Sequence, residues 1–262
     1  MTRIVLGLAV CAAMVSAQDW AKERVEKSPR HRESVTITHD GRKVDAFIAY
    51  PEASKNTPVI VVIHEIFGMS DWVQEVTDEF AAAGYIAIAP DLLSGMGPKG
   101  GGTKDFSGQT EIGQAIGKLP PDQITADLNA VADYGLKLPS AAKKLFVTGF
   151  CYGGGQAFRF ATNRADLAAT MSFYGPPPDK EAMARIKGPV FGFYGGTDNR
   201  IGAMIPGAVE NMKALGKVYE PVTYEGAGHG FMRAGEQPDA SAANAKARDE
   251  AWVRIKKIMS SH

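Results

Sequence analysis

Short apolar runs recur along this chain at 58–63, 85–89, 145–149, 168–174 and 189–194, and a mixed run at 219–224 closes the series. Uninterrupted apolar runs of this length suit strands buried on both faces of a parallel sheet. Between them lie stretches with helical spacing. The 71–83 segment places Val73, Val76 and Phe80 on one side, and Asp71 and Gln74 have the spacing of a capping box. A second helix is expected over 122–138, with Ile124, Leu128, Val131 and Leu138 on one side, and a closing one over 240–259, with Ala251, Ile255 and Met259 in register. Ahead of all these, 34–39 and 43–50 flank Asp40-Gly41, the signature of a β-hairpin. Strands alternating with helices imply βαβ units: an α/β fold with a mostly parallel central sheet, helices on both faces and an N-terminal β-hairpin. The 95–117 stretch is the exception. It holds eight glycines and almost no periodicity, and is expected to be a long loop beside the functional site.

The N-terminus departs from this rhythm. Met1-Thr2-Arg3 is a short basic start, 4–15 is apolar, and Val15-Ser16-Ala17 offers small residues before Gln18. That is the pattern of a secretory signal peptide over 1–17, cleaved after Ala17, which makes the mature protein secreted or periplasmic. The apolar run is too short to span a bilayer comfortably, so no stable membrane insertion is expected after cleavage. Val10 is large for a lipoprotein site ahead of Cys11. A polar extension over 18–33 and one domain over 34–262 would follow. Removal of 1–17 takes Cys11 with it, leaving Cys151 as the single cysteine of the mature chain. An internal disulfide is then impossible, and a lone thiol in an oxidising compartment has to be buried or useful.

Composition narrows the function by exclusion. The 262 residues are 45% hydrophobic and carry 29 basic against 29 acidic side chains. A neutral balance implies no broad attraction to nucleic acid or anionic membrane. Neither an H-E-x-x-H motif nor a histidine cluster occurs, so no metal and no cofactor is expected.

The chemistry concentrates in Gly149-Phe150-Cys151-Tyr152-Gly153-Gly154. This segment follows an apolar strand and opens a small-residue helix, the layout of a nucleophile elbow with cysteine in the nucleophile's place. The flanking glycines are expected to supply room and permissive dihedrals, and the helix N-terminus favours an anion. A thiol with an ordinary pKa of ~8.5 needs a base, and the base needs a group to hold its tautomer. In the α/β-hydrolase fold these follow the nucleophile in the order acid, then histidine. Strand 189–194 runs into Gly195-Gly196-Thr197-Asp198, and strand 219–224 runs into Glu225-Gly226-Ala227-Gly228-His229. Of five histidines only His64 and His229 end core strands, and only His229 follows the acid. Cys151, His229 and Asp198 are therefore the candidate triad, although an Asp in such a turn also serves as a helix cap. His64-Glu65-Ile66-Phe67-Gly68 follows the strand at 58–63, from which this fold donates the second oxyanion N–H. The oxyanion donors are taken to be the backbone N–H groups of Ile66 and Tyr152. Glu65, beside a thiol, would raise its pKa and offer it an alternative acceptor. Phe67, Tyr152, Tyr174, Phe231 and Trp72 are candidates for an apolar cleft.

These residues together resemble the dienelactone hydrolase family, the carboxymethylenebutenolidases. The resemblance rests on His64-Glu65-Ile66-Phe67-Gly68, Ala89-Pro90-Asp91-Leu92, the cysteine elbow, Asp198 and Gly228-His229-Gly230-Phe231, and it covers roughly 34–258. It implies a small-molecule ester or lactone substrate, a Cys151–His229–Asp198 triad, and a Glu65 that holds the resting thiol until substrate binds. It also implies that Arg233, four residues after the histidine, receives a substrate carboxylate. A partner arginine would be expected within 95–125, where this chain has only Lys99, Lys104 and Lys118; lysine is the poorer bidentate clamp. The expectation is a cofactor-independent hydrolase, monomeric or a small homo-oligomer, with a non-catalytic binding or sensing protein on the same fold as the alternative. A thiol redox enzyme is disfavoured by the lack of a resolving cysteine.

Overall fold

Eight strands form one sheet in the order β1-β2-β4-β3-β5-β6-β7-β8 in this computed structural model, which describes residues 19–52 and 55–262. The expected signal peptide, with Cys11, lies outside the described residues. The strands are β1 (Arg32–His39), β2 (Arg42–Ala49), β3 (Thr57–Ile63), β4 (Ile86–Pro90), β5 (Ala141–Phe150), β6 (Leu167–Phe173), β7 (Val190–Gly195) and β8 (Tyr219–Tyr224). β1 and β2 form the antiparallel hairpin, and β2 lies antiparallel on β4. Every other pairing is parallel. The hairpin turns at Asp40 (φ 45°) and Gly41 (φ 76°), both left-handed as a tight two-residue connection requires.

The helices are α1 (Asp19–Lys27), α2 (Asp71–Ala82), α3 (Gln109–Ile116), α4 (Pro121–Leu136), α5 (Tyr152–Ala161), α6 (Lys180–Met183), α7 (Asn199–Gly202), α8 (Ile205–Ala214), α9 (Phe231–Ala234) and α10 (Ala242–Ser261). They cover both faces. Val59, Val61 and Ile63 of β3 meet Ile124, Leu128 and Val131 of α4 and Ala157 and Phe158 of α5. Ile60 and Val62 of the same strand meet Trp72, Val73, Val76 and Phe80 of α2 and Ala251 and Ile255 of α10. Side chains of a strand alternate between faces, so a strand covered on both sides must be apolar throughout, as β3 is.

Two expectations need correction. Ser70, and not Asp71, caps α2: its side chain accepts from Val73 N–H. A hydroxyl just outside the first turn reaches that donor, while Asp71 already has helical geometry. The 95–117 stretch is not a structureless loop. It turns back at Gly97–Gly101, makes a 3₁₀ turn at Thr103–Asp105 and ends in α3, whose Ala115 and Ile116 are buried. Asp91 fastens the segment by accepting from the backbone N–H and hydroxyl of Thr103, both at 2.7 Å. The polar 18–33 stretch contains α1, docked through the fully buried Ala21.

Candidate active site

Cys151 stands between β5 and α5 with φ 55° and ψ −112°, a conformation that an L-residue keeps only when its surroundings hold it there. Close packing does the holding. A Cβ on Gly149 would lie 2.1 Å from Gly153 O, one on Gly153 2.2 Å from Ile63 O, and one on Gly154 2.2 Å from Phe173 O. None of the three has a positive φ. The glycines thus supply room for chain segments to touch, and the strained dihedral belongs to the cysteine itself. Cys151 N–H is fixed by Phe173 O at 3.0 Å.

The three candidate side chains converge from three strand ends. His229 Nε2 lies 3.1 Å from Cys151 Sγ, and His229 Nδ1 lies 2.5 Å from Asp198 Oδ2. The other oxygen of Asp198 accepts from Ile201 N–H at 3.2 Å. The acid therefore caps the turn after β7 and orients the histidine together, which locks its rotamer. Gly228 N–H is tied to Asn244 Oδ1 of α10 at 2.9 Å, anchoring the histidine loop. The His229 imidazole is pushed up to about 9, first by its bond to Cys151 and then by Asp198, against partial burial.

On the β3 side, Glu65 is buried and Ile66 exposed. Glu65 does not hold the thiol here. Its Oε2 accepts from Arg233 Nε at 2.9 Å, while the thiol faces His229. A carboxylate out of water needs a full counter-charge, and a guanidinium supplies it where a thiol cannot. Burial raises the Glu65 pKa and Arg233 opposes it. The Arg233 guanidinium also lies 4.9 Å from the centre of the Phe67 ring. Tyr152 is partly buried against His64, ring centres 6.5 Å apart.

Three aromatic residues expected to line a cleft do not reach its surface. Phe231, Tyr174 and Trp72 are each 0% exposed. Phe231 packs on Tyr174 and Tyr224, and Tyr174 on the His229 ring at 5.0 Å between centres. Tyr174 is thus the floor under His229, with Phe231 packed on it, while Trp72 packs on Phe150. Two residues that the motifs did not single out hold the Ile66 loop. Gln109 Nε2 of α3 donates to Ile66 O at 3.0 Å, and Thr103 Oγ1 accepts from Met69 N–H at 3.0 Å. Both come from the 95–117 stretch, whose position beside the site was expected even though its structure was not.

Among the described residues one cluster could suggest a metal, formed by Glu75, Glu79 and Glu236 with oxygens within 4.8 Å of one another. Arg24 pairs with Glu236, and Arg248 bonds Glu79 at 2.5 Å and Glu236 at 2.9 Å. Guanidinium groups therefore already occupy the position a cation would take. No helix among the described residues is long and apolar enough to cross a membrane.

Comparison with known proteins agrees with this architecture. Among curated relatives, a provisionally named carboxymethylenebutenolidase of Yersinia pestis is 31% identical over 88% of this chain and 89% of its own. A relative of the same name from Escherichia coli K12 is 30% identical over 84% of this chain and 83% of its own. Among solved structures, a provisionally named dienelactone hydrolase from Klebsiella pneumoniae superposes with a TM-score of 0.78, 24% identity, and coverage of 90% of this chain and 100% of the other. The dienelactone hydrolase-like promiscuous phosphotriesterase P91 reaches a TM-score of 0.74 at 21% identity, over 89% of this chain and 99% of its own. At those identities the two structures speak to the fold alone. The sequence profile of the dienelactone hydrolase family matches residues 44–262, and the chain belongs to that family of hydrolases.

Proposed function

We propose that this protein hydrolyses carboxylic esters or lactones through a Cys151–His229–Asp198 relay and a covalent acyl-enzyme. The observation that carries the reading is the unbroken line from sulfur to imidazole to carboxylate, 3.1 Å and then 2.5 Å. The names of the relatives point to the same substrate class. Cys151 passes its proton to His229 Nε2, and the thiolate attacks the acyl carbon. The carbonyl oxygen gains the negative charge and is met by Ile66 N–H and Tyr152 N–H, donors that matter because the charge develops only in the transition state. Tyr152 opens α5, where the first N–H groups have no intrahelical acceptor. Collapse of the intermediate breaks the carbon–oxygen bond, and the leaving alkoxide takes the proton from Nε2. In a lactone that alcohol stays tethered to the acyl group. His229 then removes a proton from water and the hydroxide attacks the thioester; collapse breaks the carbon–sulfur bond, the thiolate recovers the proton from Nε2, and the acid departs. Asp198 holds the proton on Nδ1 throughout, so that Nε2 faces the thiol.

A non-catalytic binder on this fold needs no such relay, which favours the enzyme. Arg233 lies beside Glu65 at the rim, the place for a substrate carboxylate, but its commitment to Glu65 limits what remains to offer. We also propose that the protein acts outside the cytoplasm, on the basic–apolar–small pattern of residues 1–17. The decisive experiment is turnover of a p-nitrophenyl ester by wild type and Cys151→Ala, with the fold checked by circular dichroism and a thioester sought by intact mass. The variant should be folded and inactive. Undiminished turnover would overturn the mechanism.

A further inference from the structure

His64 is fully buried, lies between the ends of two adjacent strands and has no part in the relay. Its Nε2 lies 3.2 Å from Leu92 N, after β4, and its Nδ1 lies 2.8 Å from Glu65 O, after β3. The partners fix the tautomer without ambiguity. A backbone N–H can only donate, so Nε2 must carry the lone pair. A carbonyl can only accept, so Nδ1 must carry the hydrogen. A second proton would set Nε2–H against Leu92 N–H, and burial too disfavours the cation. The imidazole is therefore a neutral strut. Glu65 O and Ile66 N–H belong to one planar peptide group. Holding the carbonyl holds the direction of the N–H, and Gly68 N–H secures the same oxygen at 3.1 Å. Donors to a carbonyl also polarise its peptide and strengthen the N–H as a donor.

We propose that His64 is a positioning residue that aims and polarises the Glu65–Ile66 peptide so that Ile66 N–H meets the oxyanion. This rests on the acyl-transfer reading above. The Ile66 loop is braced elsewhere by the Gln109 and Thr103 side chains, but of these three side chains only His64 acts on the peptide that carries the donor, alongside the Gly68 N–H.

The test compares His64→Leu and His64→Asn with wild type, since an Asn amide can donate to Glu65 O from near the place of Nδ1. Burst kinetics with p-nitrophenyl acetate read acylation. Iodoacetamide alkylation reads the thiol–imidazole pair alone, because that reaction develops no oxyanion. Removing an oxyanion donor outright lowers kcat about 10²–10³-fold, so misaiming one should slow acylation by His64→Leu roughly 10–100-fold. KM should stay within about threefold, as expected when only transition-state binding is lost. Alkylation should keep its wild-type rate, and His64→Asn should recover most of the acylation rate. Should His64→Leu fail to fold, His64→Gln replaces it, its amide reaching Leu92 N–H but not Glu65 O. Acylation and alkylation falling together, or Asn and Leu losing rate equally in step with their unfolding midpoints, would overturn the proposal. Turnover lost in Cys151→Ala but unchanged in His64→Leu would refute the role of His64 alone. Turnover retained in Cys151→Ala would refute the underlying mechanism.

Discussion

Replacing Arg233 with methionine should destabilise the protein in a manner that grows with pH. Glu65 is 1% exposed, and Arg233 is the largest influence holding its pKa down against burial. Methionine keeps apolar cover over Phe67 but removes the charge. Truncating one member of a buried pair costs about 3–5 kcal/mol when the other stays ionised. Glu65 has an escape, since it can take up a proton. From an ordinary value of 4.5, protonation costs about 1.4 kcal/mol per pH unit, or roughly 3.4 kcal/mol at pH 7. That sets a ceiling on the charge contribution at neutral pH. The 21% exposure of the Arg233 side chain lowers it further, so about 2–3 kcal/mol is expected at pH 7 and under about 1 at pH 5. The sign follows from the raised pKa of the unpaired acid: stability is intact below 4.5 and drains as pH rises. Loss of the stacking on Phe67 adds about 0.5–1 kcal/mol with no pH dependence. Urea unfolding of Arg233→Met at pH 5 and pH 7.5 reads the difference directly, and Glu65→Gln in the same chain should recover most of the pH-dependent part. A penalty below about 0.5 kcal/mol at both pH values, or one that does not change with pH, would show that the Glu65–Arg233 pair is not formed in solution.

Three further outcomes are expected. Cys151→Ala should lower the His229 pKa from about 9 towards its ordinary 6.5, because the thiol is its largest influence; NMR titration of the ring protons checks this, and an unmoved value would mean the two groups do not touch. Glu75→Gln should raise Tm by about 2–4 °C at pH 8 for each kcal/mol recovered, and much less at pH 5. The reason is that burial and the neighbouring Glu79 and Glu236 push the Glu75 carboxyl up to about 10, so its contribution is full below 4.5 and lost as pH rises towards that value; an equal Tm shift at both pH values would count against it. Gly153→Ala should leave little folded protein, since its Cβ would lie 2.2 Å from Ile63 O and 2.5 Å from His64 O; a soluble variant of near wild-type Tm would show that β3 can retreat.

The parts of the site legible in the sequence are those that the sheet itself imposes. A parallel strand must end in a turn at its C-terminal edge, so Cys151, Asp198 and His229, each just past a predicted parallel strand, had to come to one edge. Glycine spacing marked the elbow because backbone segments touch there, at Gly149 and Gly153. The same reasoning found α2's first residue but placed its cap one position late, because Ser70 and Asp71 are both good caps and only the dihedrals decide between them. Helix α3 escaped notice because eight residues with Gly113 inside show barely two turns of periodicity.

Side-chain pairings were harder to foresee, and for a different reason. Arg233 and Glu65 are 168 positions apart, and nothing in either segment says that one will neutralise the other. Phe231, Tyr174 and Trp72 are aromatic residues near catalytic positions, a description that fits a cleft wall and a core floor equally until burial is known. Chain order and strand ends fix where a backbone arrives, whereas the partner of a buried charge depends on which groups water has left behind. Glu65 therefore sits in the expected place with an unexpected partner. The thiol accordingly faces the imidazole and not the carboxylate, because the guanidinium has already claimed the charge that Glu65 carries.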